Sequence, residues 1–129
     1  MSKVYFIENR GNDNQSLGKD ALRLLKHVVE ETNHKFEKEV PIKVHFGEKG
    51  NKTFVPPECY DEVIKYLKDS GVNPSYIETN VLYRGSRTTR TRHVQTAKEH
   101  GFTQIPIIIA DGEIGTDYVE VEINKDYIK

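Results

Sequence analysis

The sequence contains only one cysteine, Cys59. One cysteine excludes an internal disulfide, and it excludes any iron-sulphur cluster or zinc site that several thiolates of this chain would have to hold. The five histidines leave a metal site without thiolates open. Because a single thiolate cannot hold a cluster, we expect that this segment binds no cofactor by itself.

Net charge and long apolar runs are also lacking. The formal net charge is -1, so no overall basic field favours nucleic acid or an acidic membrane. No apolar stretch is long enough to span a bilayer, and residues 1–7 lack the basic stretch, apolar segment and cleavage site of a secretion signal. These absences predict a cytoplasmic protein with neither a membrane nor a nucleic acid as its partner.

The length of 129 residues suits one hydrophobic core and is too short for two full ones. We predict a single α/β domain over residues 1–129. Residues 127–129 are too few to form a good return strand after the last predicted turn. Either the terminus frays or the natural polypeptide continues beyond it.

Apolar and polar residues alternate in patterns that predict strands and helices in turn. Strand patterns occupy residues 3–7, 40–46, 75–80 and 105–110, and helical patterns occupy residues 17–29, 57–71 and 88–100. This alternation predicts a mostly parallel sheet of about four strands with flanking helices. We expect Ser16 to cap the first helix. The predicted core includes Val44, Ile64, Leu67, Ile77, Ile107 and Ile109.

The last two apolar segments predict specific positions in the sheet. Residues 105–110 read Ile-Pro-Ile-Ile-Ile-Ala, a continuous apolar run of the kind that is buried on both faces of a parallel sheet, so we expect a central strand there. A turn follows at Asp111 and Gly112. Valine and isoleucine then alternate with glutamate over residues 119–123, which predicts a carboxyl-terminal β-hairpin or edge strand.

Lys43 and His45 lie on the polar face of the second predicted strand, just before a glycine-containing loop. Ligands of open α/β sheets bind in the loops that follow the carboxyl ends of the strands. His45 could act as a general base near neutral pH, and Lys43 could lower its pKa or hold an anion, so both are candidate catalytic residues. The alternative is a solvent-facing strand edge with a flexible loop. The loop matches neither the nucleotide P-loop nor the dinucleotide glycine pattern.

Four arginines occur within nine residues where the third strand gives way to the third helix: Arg84, Arg87, Arg90 and Arg92. Cations at the amino terminus of a helix oppose its dipole. A bound phosphate or carboxylate would resolve this conflict, because backbone N–H groups and guanidinium groups would both contact it. The alternative is a solvated helix start whose arginines pair with acidic residues of the chain.

Both basic loops leave the carboxyl edge of the predicted sheet, so we expect them to share one crevice with Glu78, Thr79 and Asn80 at the end of the third strand. His93 and His100 are seven residues apart and lie on one face of the third predicted helix, where His100 is better explained as a partner of the carboxyl end of the helix. Cys59 lies in the first turn of a helix, which favours a thiolate. A packing role is nevertheless preferred for Cys59, because no second cysteine is present.

Several ordered motifs together resemble one known family, the uncharacterised iron-sulphur-centre proteins named domain of unknown function 362. The motifs are Val-His-Phe-Gly-Glu-Lys-Gly-Asn at 44–51, Pro-Glu at 57–58, Glu-Thr-Asn at 78–80, Leu-Tyr-Arg-Gly-Ser-Arg at 82–87, His93, Glu-His-Gly-Phe at 99–102 and Ile-Ile-Ala-Asp-Gly at 108–112. Members are typically longer and continue into a segment with histidine, lysine and glycine and a ferredoxin-like cysteine module. The resemblance implies that this chain is the amino-terminal portion of such a protein, and that its full-length relatives carry a 4Fe-4S cluster.

The expected function is therefore the substrate- or cofactor-binding α/β portion of a ferredoxin-linked redox protein. Recurrent polar positions of the family and the basic loops together give the expected ligands of a small anion: Glu48, Asn51, Thr79, Asn80, Tyr83, Arg84, Arg87 and His93. Where the family usually has an aromatic residue, this chain has Cys59. One alternative is an interaction module whose arginines bind an acidic protein surface or nucleic acid. Another is a hydrolase or isomerase that uses His45 as a base beside a histidine-bound metal. The residues do not decide whether the chain is an enzyme.

Overall fold

The computed structural model describes residues 3–10 and 13–122 of the chain. In chain order it has α1 (Asn14–Thr32), β1 (Glu39–Lys43), a 3₁₀ turn (Pro57–Tyr60), α2 (Asp61–Asp69), β2 (Asn73–Glu78), α3 (Arg90–Glu99) and β3 (Ile107–Ile109). The predicted α/β class, with a parallel sheet and flanking helices, is confirmed. No helix in the described part of the chain is both long enough and apolar enough to cross a membrane.

The sheet is parallel, and its strands lie in the order β1-β2-β3, with Tyr76 opposite both Ile42 and Ile107. Connections between neighbouring parallel strands are almost always right-handed, which puts the helices of successive connections on the same face of the sheet. α2 and α3 accordingly pack on one core cluster through Ile64 and Ala97. α1 lies outside them, against α2 and the 3₁₀ turn.

Three fully buried aromatic side chains form the centre of this core: Phe46, Tyr76 and Phe102. The ring centroid of Phe102 lies 4.9 Å from that of Phe46 and 5.3 Å from that of Tyr76, with the rings edge to face. This geometry is favourable for aromatic pairs. Because Phe46 lies near the start of the loop that follows β1, its burial in the core fixes the position of that end of the loop.

The predicted core residues are largely confirmed. Val44, Ile64, Leu67 and Ile109 are buried, whereas Ile77 and Ile107 are only partly buried. Ile77 alternates along β2 with the buried Tyr76, so its side chain lies on the face opposite the helices.

The predicted number and order of the strands differ from those of the structure. Residues 3–7 form no strand, and the described sheet has three strands rather than about four. Tyr5 packs instead on α1, with its ring 5.2 Å from that of His27. The apolar run that contains β3 lies at an edge of the sheet and not at its centre. Ile108 is 44% exposed, because the helices cover the other face.

Two helix ends show how local chemistry sets the boundaries. α1 begins earlier than predicted, because Asp13 rather than Ser16 is its cap: the backbone N–H of Ser16 donates to Asp13 Oδ1 at 2.7 Å. The stop predicted after α3 is confirmed, since Gly101 has φ +90°, a conformation that glycine adopts without strain.

The predicted carboxyl-terminal hairpin or edge strand is not seen. Described residues 118–122 belong to no strand, and Val119 and Val121 are 86% and 76% exposed. Ile123, the last residue of the predicted alternation, lies outside the described residues.

Candidate functional site at the carboxyl edge of the sheet

Two loops leave the carboxyl edge of the sheet, and a glutamate joins them. The glycine loop (residues 44–56) follows β1, and the arginine loop (residues 79–89) follows β2. Glu48 of the glycine loop accepts hydrogen bonds from the backbone N–H of Ser86, at 2.6 Å, and from the Ser86 hydroxyl. The loops that the sequence assigned to one edge are therefore in direct contact.

Arg87 completes this junction from the interior. It is only 2% exposed, its Nε lies 3.4 Å from Glu48 Oε2, and its guanidinium also contacts the Tyr83 hydroxyl. A buried guanidinium needs an anionic partner, because desolvation penalises an unpaired charge. Glu48 supplies that partner from within the chain.

The hydrogen bonds to Glu48 change its acidity. Burial raises the pKa of its carboxyl group, but donation from Ser86, from the Lys49 backbone and from Arg87 outweighs that effect and lowers the pKa to about 2. The Glu48 side chain is therefore a carboxylate at every physiological pH.

Lys43 and His45 are exposed on the side of β1 opposite the core, as predicted. Lys43 Nζ lies 2.8 Å from Oε1 of Glu78, whose buried carboxylate it neutralises. His45 Nδ1 accepts a hydrogen bond of 3.2 Å from the Gly47 backbone N–H. In this arrangement Nδ1 is the acceptor, which leaves Nε2 as the ring nitrogen that can donate a hydrogen bond.

The remaining polar residues of the edge have different partners. Asn80 binds the next loop along the sheet: its backbone N–H and its Nδ2 both donate to Asp111, and Nδ2 also donates to the Gly112 carbonyl at 3.0 Å. Asn51 closes a turn of the glycine loop by accepting from the Thr53 backbone N–H at 2.8 Å. Thr79 is exposed at the end of β2.

The chain itself occupies the amino terminus of α3. The backbone N–H of Arg90 donates to the Glu113 carbonyl at 2.8 Å, that of Thr91 donates to the Glu113 carboxylate at 3.3 Å, and that of Arg92 donates to the Thr89 hydroxyl at 3.4 Å. Sequence reasoning missed Glu113 and Asp111. Their position just beyond the carboxyl end of β3 was the signal that could have identified them.

His93 lies beneath the arginine loop and is completely buried. Neither of its ring nitrogens has a hydrogen-bond partner among the described residues. Burial, reinforced by the positive charge of Arg87, lowers its pKa to about 4, so the ring is neutral at pH 7. Its ring packs against Phe46, 5.5 Å between centroids. His93 thus supports the edge from below and does not line its surface.

A cavity of about 410 Å³ opens beside the junction of the two loops. We call it the crevice, and its lining residues are Lys49, Ser86, Thr91, Arg92, Gln95, Thr96 and Glu99. In the described part of the chain, neither Lys49 nor Arg92 forms an ion pair. Glu99 brings one carboxylate into the lining and accepts a hydrogen bond of 2.8 Å from Gln95. Arg84 is exposed on the arginine loop.

Residues 3–10 and 13–122 contain no group of three or more histidine, cysteine, aspartate or glutamate side chains that could hold a metal ion. Cys59 is buried, and burial together with the charges of Glu58 and Asp61 raises the pKa of its thiol. Its backbone packs against Gly18 of α1, in agreement with a packing role.

One family model matches residues 40–129, and its description is domain of unknown function (DUF362). The match begins at the second residue of β1 and includes β2, β3 and every candidate site residue. No curated protein and no solved structure matches the chain.

Proposed function

We propose that this chain, which belongs to the DUF362 family, is the ligand-binding α/β portion of an iron-sulphur redox protein and holds a small anionic ligand in the crevice. The observation that carries the proposal is the junction at Glu48, because it brings Lys49 of the glycine loop and Ser86 of the arginine loop to one cavity beside α3. Ligands of open α/β sheets bind in such a position, outside the carboxyl ends of the strands.

The distribution of charge favours the crevice over Lys43 and Arg87 as the anion site. Lys43 and Arg87 are already paired with carboxylates of the chain. Lys49 and Arg92 line the crevice, and no carboxylate in the described residues neutralises them by an ion pair. An anion between their side chains would gain two charge-assisted contacts, each worth about 1.5 to 3 kcal/mol.

The other lining residues restrict the class of ligand. The Thr91 hydroxyl and the Gln95 amide add hydrogen-bonding groups, while Glu99 disfavours negative charge at its own position. We therefore propose a ligand whose charge is concentrated at one end, such as a phosphate or carboxylate group, with an uncharged remainder near Gln95 and Glu99. A cavity of about 410 Å³ limits the ligand to a small molecule.

The test is a titration of the chain at low salt with phosphate, pyrophosphate or citrate, followed by amide NMR shifts. Shifts are expected in both loops, around Lys49 and around Ser86 to Arg92. Lys49→Ala and Arg92→Ala should each weaken binding about tenfold, because each removes one charge-assisted contact. Arg92→Lys should restore only part of the affinity, since a point charge lacks the guanidinium fork.

Lys98→Ala is the matched control. It removes one positive charge from the same helix, but Lys98 does not line the crevice. Its affinity should therefore stay close to that of the unaltered chain. Equal weakening by Lys98→Ala and Arg92→Ala would show that only net charge matters, and the absence of shifts in either loop at millimolar ligand would contradict the proposal.

The redox part of the proposal rests on the family resemblance and not on residues of the site. It requires a cysteine module outside this segment, and the polypeptide encoded together with this domain is where to look for it. Copurification of a 4Fe-4S cluster with a longer natural polypeptide that contains this domain would support it. A longer polypeptide without any cysteine module would refute the redox part and leave the anion site untouched.

A second candidate function is an interaction module, which the exposure of the arginine loop favours. Leu82 is 106% exposed and Tyr83 55% exposed, next to the exposed Arg84. An apolar tip beside a cation is suited to an acidic protein surface with an apolar centre. Binding to such a partner would weaken steeply with salt and depend on Leu82 and Arg84, whereas binding of a small anion in the crevice would depend on Lys49 and Arg92.

A further inference from the structure

β3 presents unpaired backbone groups along its outer edge. On the inner side, Tyr76 N–H donates to the Pro106 carbonyl at 2.8 Å and Ala110 N–H donates to the Glu78 carbonyl at 2.9 Å. Backbone groups of successive residues in a strand face opposite sides. Residues 106, 108 and 110 therefore face β2, and residues 107 and 109 direct their N–H and C=O groups outward, where the described residues provide no partner strand.

The other edge of the sheet is protected against strand addition, whereas this edge is not. On β1 the same alternation puts residues 39, 41 and 43 on the outer side, and residue 41 is Pro41, which has no N–H to donate. The outward residues of β3, Ile107 and Ile109, both have a donor and an acceptor. A strand would therefore add to β3 and not to β1.

A segment with the matching pattern follows β3 closely. Residues 118–122, which we call the strap, read Tyr-Val-Glu-Val-Glu and are exposed. The apolar side chains Val119 and Val121 alternate with Glu120 and Glu122, as in a strand with one covered and one solvated face. Nothing in the strap would prevent pairing, since it contains neither proline nor glycine.

One hydrogen bond between the residues that flank β3 and the strap favours one register for their pairing. Asp117 N–H donates to the Asp111 carbonyl at 3.0 Å. Residue 111 continues the outward series 107, 109 and 111, so this bond has the position of the first rung of an antiparallel ladder. The next rungs would pair Ile109 with Val119 and Ile107 with Val121.

This register also puts each side chain in a suitable environment. Side chains that lie directly opposite each other project from the same face of a sheet. Val119 and Val121 would join Ile109 and Ile107 on the face that α3 covers, and Ile109 is already buried there. Glu120 would lie beside Ile108 on the solvated face. A shift by one residue would bury glutamate instead.

The turn that carries the strap is held at three points. Asp111 accepts from the Asn80 backbone, and Glu113 accepts from the backbones of Arg90 and Thr91 through its carbonyl and carboxylate. These bonds anchor the start of the turn from which the strap leaves. We propose that residues 118–122 close on β3 of the same chain as a fourth, antiparallel strand, so that the sheet has an open and a closed state. This inference does not depend on ligand binding in the crevice.

NMR on the complete chain tests the closed state directly. In the proposed register Ile108 and Glu120 form a pair without hydrogen bonds, in which the two Hα atoms approach closely and give a strong cross-strand NOE. The Ile107 amide should exchange with solvent at least about tenfold more slowly than in a variant that cannot close. The absence of this NOE, with equal exchange of Ile107 in both proteins, would overturn the proposal.

Two proline substitutions form the matched pair. Val121→Pro removes an N–H that would donate to the Ile107 carbonyl, so the NOE and the protection should be lost. Glu120→Pro removes an N–H that would face away from β3, so both should be largely retained. Equal loss in both variants would contradict the register. An NOE seen only between differently labelled copies in a mixed sample would assign the strap to a second molecule and overturn closure within one chain.

Discussion

Glu48 does within the chain what the sequence suggested an external anion would do at the arginine loop. The expectation was based on cations near the amino terminus of α3, where the helix dipole disfavours them. In the structure, Arg87 pairs with Glu48, and Glu113 occupies the helix terminus. Two glutamates therefore resolve the conflict that predicted a ligand at Arg87, while Lys49 and Arg92 form no ion pair with any described residue.

The acidity of Glu48 gives a prediction about stability and pH. Its pKa is about 2 in the folded chain and near the ordinary value of 4.5 when unfolded, so between these values the unfolded state binds more protons. The stabilisation by the carboxylate is complete above about pH 5 and is lost as the pH falls toward 2. Because the Glu48 side chain is partly exposed, we expect its carboxylate to contribute on the order of 1 to 2 kcal/mol to the free energy of unfolding.

Urea unfolding of the chain and of Glu48→Gln at pH values from 7 down to 2.5 measures this contribution. The variant keeps an acceptor for the Ser86 N–H but loses the charge, so it should be less stable at pH 7 and lose less stability on acidification. Glu30→Gln, on the exposed surface of α1, is the control. Parallel stability curves for the chain and Glu48→Gln would show that the carboxylate is not the titrating group.

His93 illustrates a different use of a polar residue. Its buried, neutral ring fills space between Phe46 and the arginine loop, and its nitrogens have no partner among the described residues. The sequence could identify His93 as unusual, but the pattern of α3 could not distinguish a ligand-binding histidine from one packed beneath the loop.

At the scale of the elements, the contact between the two loops depends on a glycine. A β-carbon on Gly85 would lie 2.5 Å from Glu48 Oε2, too close for the carboxylate to keep its position. Gly85→Ala should therefore destabilise the chain by about 1 to 2 kcal/mol through overpacking. The conformation of Gly85 is not one that disfavours alanine, so strain in the backbone does not contribute.

A double-mutant cycle with Glu48→Ala isolates this effect, with the free energy of unfolding as the measurement. If the clash with the carboxylate is the cause, Gly85→Ala should cost almost nothing once the Glu48 side chain has been shortened. An equal cost in both backgrounds would assign the effect to the arginine loop alone.

At the scale of the whole molecule, the cysteine content gives a prediction about the binding of an iron-sulphur cluster. Incubated without oxygen with iron and sulphide, the isolated chain should acquire no stable cluster, because Cys59 is its single thiol and lies buried in the packing of α1 against the 3₁₀ turn. Iron and sulphide analysis after desalting is the measurement, with Cys59→Ala as the control. A stoichiometric brown chromophore on the monomer that is absent from Cys59→Ala would contradict this prediction.

The sequence by itself determined the features that depend on short-range patterns. Alternation along residues 40–46 correctly put Val44 and Phe46 inside and Lys43 and His45 outside, because side chains of a strand alternate between faces. The glycine after α3 correctly marked its end. The order of chain segments also brought both polar loops to one edge of the sheet, since parallel strands end on the same side.

Only the tertiary structure decided which strand lies at the edge and which charges pair. A continuous apolar run such as the one around β3 is compatible with a central strand and with an edge strand. The order of the strands is set by the connections between them, which local patterns do not specify. The pairing of Glu48 with Arg87 joins residues 39 positions apart. Such a pair forms because loop conformation and burial bring the two side chains together, and this is information that the spacing of residues along the sequence does not contain.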